Sequence, residues 1–276
     1  MEVVLSSNMG FCKGVSLSLD KVREAYALSI KEGLPCYIYG DIVHNSQVMR
    51  EIFSHGIVSI SSSEGHAPGV VVIRAHGITD EARESFIADG FILIDATCPV
   101  VLKNQSIVRC SEREVVVLGH PHHAEVSALM GSSKRGVLSV SHPAELDKLD
   151  PSIEYDAVVQ TTFSESSIDA IMARAAEIGL RLNLRNTICN ASQKRRDAIR
   201  ELARKVGCIL VVGDRKSSNS NELVALARES GCQGFLIEKA EDIPIDVLNY
   251  KSVGVTAGAS TPSFLYEEVV EYLRSR

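Results

Sequence analysis

The sequence predicts an α/β protein made of three similar small α/β domains, and three observations carry that prediction. Short apolar strands ending in Gly recur at 37–40, 115–119 and 209–213. Each is followed by a polar loop, a helical stretch, and a second strand with its own polar loop. Two units then close on a strand that ends in Cys, at 91–98 and 182–189, while residues 2–12 supply a third such strand at the other end of the chain. Self-similarity of this kind marks a repeated architecture. Short strands rich in Val and Ile, alternating with helices, indicate parallel sheets.

The elements follow in order. The strand Tyr37-Ile38-Tyr39-Gly40 and its counterparts Val115 to Gly119 and Ile209 to Gly213 lead to polar loops at 41–45, 120–125 and 214–219. The second strands start at Val71, Ala157 and Val253 and run into the loops His76-Gly77, Gln160-Thr161-Thr162 and Thr256 to Ser260. Helices are expected near 79–89, 165–179 and 262–275, and again after each closing Cys, at 14–32, 100–113 and 191–206. The domains are therefore 13–98, 99–189 and 190–276, with the N-terminal strand in 1–12 completing the third. Ligands of open α/β sheets sit beyond the carboxyl ends of strands. A pseudo-threefold ring of these domains would point every polar loop, and all three closing cysteines, at a common centre.

Composition narrows the function classes. A net charge of −6 and the absence of Trp argue against a nucleic-acid binder, which would show a basic face and stacking surfaces. The one dense basic run, Lys194-Arg195-Arg196, reads as a solvated helix face. No apolar stretch approaches the length needed to span a bilayer. The start lacks the pattern of a signal peptide, so a cytoplasmic chain with no membrane partner is expected. Seven widely spread cysteines do not form a secreted disulfide framework. In a reducing compartment they are packing residues, nucleophiles or metal ligands.

Cys12, Cys98 and Cys189 hold the equivalent strand-end position, just ahead of helices. The positive end of a helix dipole favours thiolate, the form that binds metal. Three converging thiolates fit a [4Fe–4S] cluster whose fourth iron lacks a protein ligand and is open to act as a Lewis acid. Structural zinc ligands usually come in closely spaced pairs, which these are not. Spacing alone still leaves zinc, or three unrelated thiols, open. Cys36, Cys110, Cys208 and Cys232 read as small apolar packing residues.

The loops carry neutral hydrogen-bonding groups suited to an anion. His44, His76 and His123 fall on them, joined by Ser217, Ser218, Asn219 and Ser260 on the third unit. Imidazoles, hydroxyls and amides near helix N-termini can surround a phosphate or diphosphate. There is no dinucleotide fingerprint and no Walker loop. Glu125 is the carboxylate of the middle unit's first loop. It reads equally as a general acid, with Thr161 beside it, or as a helix N-terminal carboxylate that stabilises the dipole.

The segments Gly10-Phe11-Cys12-Lys13-Gly14-Val15, Asp95-Ala96-Thr97-Cys98-Pro99, Gln160-Thr161-Thr162, Ser217-Ser218-Asn219-Ser220-Asn221 and Thr256-Ala257-Gly258-Ala259-Ser260 occur in one order along nearly the whole chain. Together they resemble the LytB family of 4-hydroxy-3-methylbut-2-enyl diphosphate reductases. The resemblance implies a trefoil of three α/β domains around a central [4Fe–4S] cluster held by Cys12, Cys98 and Cys189. It implies reductive removal of an allylic hydroxyl, yielding isopentenyl and dimethylallyl diphosphate in the last step of the methylerythritol phosphate pathway. It implies diphosphate contacts from His44, His76, Ser217, Ser218, Asn219 and Ser260 with His123 close by, proton delivery by Glu125, and Thr161 in its hydrogen-bond network. Ferredoxin or flavodoxin is the implied electron donor.

Two departures stand out. The family's His-Pro-Glu is His123-Ala124-Glu125 here, which frees φ at that position. Cys189 is followed by Asn190-Ala191-Ser192, where relatives carry bulkier or Thr-rich residues. Neither change removes a proposed ligand.

Overall fold

Residues 1–185 and 187–276 are described by the computed structural model. Asn186, within the strand expected at 182–189, lies outside the described residues. The described chain forms three four-stranded sheets, and every pairing in them is parallel. It divides into two compact units, one of 1–16, 43–51 and 189–276, the other of 17–42 and 52–188.

The first unit holds one sheet, in the order β1 (Glu2–Leu5), β12 (Ser252–Ala257), β10 (Cys208–Val212), β11 (Gln233–Ile237). The N-terminal strand thus joins a sheet made by the C-terminal third of the chain, with Val3 opposite Val253 and Leu5 opposite Val255. Every residue of β10 is buried. One face packs on α9 (Ser263–Arg274) through Leu265, Val269 and Leu273. The other packs on α7 (Asn190–Ala203) and α8 (Ser218–Glu229) through Ile199, Leu202, Leu223 and Ala227. Burial on both faces is why these strands read as continuous apolar runs.

The second unit holds two sheets. One has the order β3 (Val58–Ile60), β2 (Cys36–Tyr39), β4 (Val70–Ile73), β5 (Ile92–Asp95), and α3 (Asp80–Ala88) covers it through Phe86. The other has the order β7 (Val137–Val140), β6 (Glu114–Leu118), β8 (Glu154–Val159), β9 (Arg181–Arg185). Its faces are covered by α6 (Glu165–Glu177) and by α4 (Pro99–Cys110) with α5 (Ala124–Met130). Helix α1 (Lys13–Glu32) carries the chain out of the first unit, and α2 (Ser46–Ser54) does so again.

Three strands were not expected from the sequence: β3, β7 and β11, each at a sheet edge. The opposite edge strands β1, β5 and β9 are no more buried but each leads to a Cys that marks it, whereas β3, β7 and β11 carry no such marker and two of the three residues of β3 are exposed. Two side-chain readings also change. Cys110 is exposed at the end of α4 rather than packed. Arg195 and Arg196 are not on a solvated face: they are 5% and 2% exposed, and only Lys194 of that run is at the surface. Arg195 falls three, four and seven residues before Ala198, Ile199 and Leu202, which is the buried face of α7. Among the described residues, no helix is long and apolar enough to cross a membrane.

Candidate functional site

Parallel pairing sends every strand's carboxyl end to one edge of its sheet, and the residues singled out from the sequence stand just beyond those ends. In the second unit the clearest arrangement surrounds Glu125. It lies in the first turn of α5 and is 1% exposed. Thr161, just past β8, meets both carboxyl oxygens: its N–H donates to Oε1 at 2.8 Å and its Oγ1 to Oε2 at 2.7 Å. Burial raises the carboxyl pKa and outweighs the two hydrogen bonds, which lower it, so the group titrates at about 7. Glu125 is thus both a first-turn helix carboxylate and a buried acid that titrates near neutrality.

His123 caps α5, its Nδ1 accepting from the Glu125 N–H at 3.1 Å. The His76 ring packs edge-on against it, with centroids 5.5 Å apart. Gln160 ties the loops after β6 and β8 together: its Oε1 accepts from His120 N–H at 3.0 Å and its Nε2 donates to Thr162 at 2.9 Å.

Cys98 is the N-cap residue of α4, with Pro99 in the first turn, and its N–H donates to Ala75 O at 2.9 Å. The chain before it is braced by Asp95, which accepts from Thr97 N–H at 2.9 Å and pairs with Arg83. The carbonyl of Ala96 accepts from Ser18. Burial pushes the Asp95 carboxyl up, but the bonds from Thr97 and Arg83 hold it below its ordinary value. The chain leading to Cys189 is fixed by Thr187, whose hydroxyl bonds both Val159 N–H and Val159 O.

In the first unit Cys189 caps α7, and Cys12 directly precedes α1, with its carbonyl accepting from Ser16 N–H. The Cys12 N–H donates to Ala259 O at 3.1 Å and its sulfur accepts from Val15 N–H at 3.4 Å. Cys12, Cys98 and Cys189 are all half-buried thiols outside any disulfide. Each stands at a helix N-terminus, where a thiolate is favoured. Soft thiolate donors of this kind suit iron–sulfur or zinc binding, so this donor set fits the expected cluster.

Ser217 caps α8, with Ser220 N–H donating to its hydroxyl at 3.3 Å. Ser218 opens the helix, and Asn219 is buried in its first turn with Nδ2 unbonded among the described residues. Ser260, past β12, donates to the His44 carbonyl at 3.0 Å, so the loops carrying these two residues are joined. A buried amide donor in the first turn of a helix is suited to receive an anion.

Sequence reasoning missed Asp214. It is buried past β10 and accepts from the Ser46 N–H at 2.8 Å, the Ser46 hydroxyl, and the Lys216 N–H at 2.8 Å. Asn45 beside it caps α2, accepting from Gln47 and Val48 N–H groups. The signal was a lone acid directly after a Gly-ended strand, the place where a loop needs an acceptor. It went unread because only the hydroxyls and amides of that loop suggested binding.

The comparisons with known proteins agree along the whole chain. The profile of the LytB protein family matches residues 3–274. A protein of Alkaliphilus oremlandii named 4-hydroxy-3-methylbut-2-enyl diphosphate reductase is 33% identical, the alignment covering 100% of both chains. A protein of the same name from Dechloromonas aromatica is 38% identical, with 100% of this chain and 92% of that one covered. Among solved structures, the E-1-hydroxy-2-methyl-but-2-enyl-4-diphosphate reductase of Plasmodium falciparum superposes with a TM-score of 0.91 at 27% identity, covering 98% of this chain and 87% of that one. On a match that runs from the first strand to the last helix, this chain belongs to the LytB family.

Proposed function

We propose that the chain removes the allylic hydroxyl of (E)-4-hydroxy-3-methylbut-2-enyl diphosphate, consuming two electrons and two protons and releasing water. The products are isopentenyl diphosphate and dimethylallyl diphosphate, and the step closes the methylerythritol phosphate pathway. Full-length membership of the family supports the reaction. The observation that carries the chemistry is Glu125, a buried carboxyl titrating at about 7 against Thr161.

Cys12, Cys98 and Cys189 would hold one [4Fe–4S] cluster, which would relay electrons and offer a Lewis acid when bound. The protein's own part is protonation and orientation. At neutral pH a fair fraction of Glu125 carries its proton. A protonated Glu125 reverses the short contact to Thr161, donating to the hydroxyl from which it otherwise accepts. That hydroxyl is the next atom on a path toward substrate, and Thr161 N–H on the other oxygen keeps the carboxyl from rotating away. His76 and His123 in one unit, and His44, Ser217, Ser218, Asn219 and Ser260 in the other, are the proposed diphosphate contacts. The buried Asn219 amide and the start of α8 support that assignment. A low-potential carrier of the ferredoxin or flavodoxin class is the proposed electron source. Each sheet with its helices is proposed as one domain, bounded at 13–98, 99–189, and 190–276 with 1–12.

Glu125→Gln tests the proton path. The variant should keep its visible iron–sulfur absorption and lose at least about a hundredfold in turnover, the range of a general acid. Turnover near wild type would remove Glu125 from the mechanism.

A further inference from the structure

Arg195 reads from the sequence as a surface residue, and the fold buries it. Its Nη1 donates to Ala191 O at 3.1 Å, one turn back on α7, and its Nη2 donates to Gly10 O. Its Nε is buried with no partner among the described residues, and no ion pair is formed by Arg195 among them. Both acceptors are therefore neutral carbonyls. A guanidinium keeps its proton in a protein, and a buried cation without counter-charge is costly. Burial pulls Arg195 below its ordinary value, and the groups opposing that pull are the Cys12 and Cys189 sulfurs.

The backbone places the contact where it matters. Gly10 has φ +74°, a conformation that suits glycine, and a Cβ there would press on the Tyr266 ring at 3.0 Å. The turn it makes is hung from the sheet by Gly10 N–H to Ala257 O and Cys12 N–H to Ala259 O. Arg195 holds the outward carbonyl of the same turn. One side chain on the helix capped by Cys189 thus fixes the turn that delivers Cys12.

We propose that Arg195 is a positioning residue for the cluster: it locks the Cys12 turn to the Cys189 helix and sets one buried positive charge beside both sulfurs. This rests on the cluster reading above. Each electron entering a cluster adds a negative charge, and local charge is one of the levers on its potential. A fixed cation therefore favours the reduced state.

The test compares wild type with Arg195→Gln, Arg195→Met and Arg195→Lys, all purified anaerobically. Iron and sulfide are counted, thermal unfolding is recorded, and midpoint potentials are measured by dithionite titration followed by electron paramagnetic resonance. The neutral variants should bind iron but reduce tenfold less favourably at a given potential, a midpoint lower by about 59 mV. The Lys variant should stay within about a third of that shift. A folded neutral variant at the wild-type midpoint overturns the proposal. So does a Lys variant whose midpoint falls as far as that of Gln or Met, because charge is then not what acts. Should both neutral variants fail to fold, a full tenfold loss in the Lys variant overturns the proposal and a smaller one upholds it. Wild type that takes up no iron sinks the cluster reading and this proposal together, whereas iron-loaded wild type with unmoved variants sinks only the role of Arg195.

Discussion

Glu125 and Asp214 are both buried carboxylates standing just past a central parallel strand, one in each compact unit, and the protein holds them in opposite ways. They are 1% and 6% exposed, so burial pushes both toward the neutral acid. Asp214 is rescued by donors: burial raises it, but the Ser46 hydroxyl, the Lys216 and Ser46 N–H groups and the Lys216 charge outweigh that and keep it below its ordinary value. Among the described residues Glu125 receives only the Thr161 hydroxyl and N–H, and burial wins, leaving it at about 7. Deeper burial with fewer donors raises Glu125, while shallower burial with more donors keeps Asp214 ionised.

The same difference gives the two groups opposite effects on stability. The folded pKa of Glu125, about 7, lies above its ordinary 4.5. Between those values the folded protein keeps a proton that the unfolded chain has released. The stability from this group is complete below pH 4.5 and is lost as pH rises through 7. Glu125→Gln removes that dependence, so its stability relative to wild type should improve from pH 4.5 to pH 8, by at most about 3 kcal/mol. Denaturant midpoints across that range measure it. A constant offset between the two proteins would mean that Glu125 is ionised throughout, and the contrast with Asp214 would collapse.

Asp214 contributes in the other direction, with stability present above its ordinary pKa of 3.8 and lost as pH falls through the depressed folded value. Asp214→Asn turns an acceptor toward a backbone N–H into a donor. It should cost about 2 kcal/mol at pH 7, and the cost should shrink as the medium becomes acid. Equal stability of variant and wild type at pH 7 would show that the three donors are satisfied without the charge.

Much of this was legible in the sequence, for a physical reason. Central strands buried on both faces, such as Val70–Ile73 and Cys208–Val212, leave apolar runs that need no partner to be seen. The Cys-ended strands and hydroxyl-rich loops carry their chemistry in single residues. The edge strands β3, β7 and β11 lack the closing Cys that marks the opposite edges β1, β5 and β9. What else was hidden depended on the environment. The acidity of Glu125 depends first on its burial and then on how few donors reach it, and the reach of Arg195 to Gly10 joins residues far apart in sequence. Charge class suggested surface for Arg195 and Arg196, while their spacing with Ala198, Ile199 and Leu202 pointed to the buried face.

The smallest expected effect tests whether the Glu125 arm is held by its backbone as well as by Thr161. Ala124 is the first residue of α5. Helix N–H groups in the first turn lack partners within the helix, so Pro loses nothing there and its fixed φ suits the position. The preceding residue must be extended, and His123 already sits at φ −76° and ψ 137°. Ala124→Pro should therefore stabilise by about 0.4–1 kcal/mol through the unfolded chain, about 1–3 °C in Tm. Turnover should hold, because neither the His123 cap nor the Thr161 contacts depend on the Ala124 N–H. A fall in Tm would mean that the loop before α5 relies on freedom at Ala124. A fall in turnover with Tm raised would mean instead that Glu125 must move with its loop to deliver the proton, making its arm a mobile counterpart to the fastened Asp214.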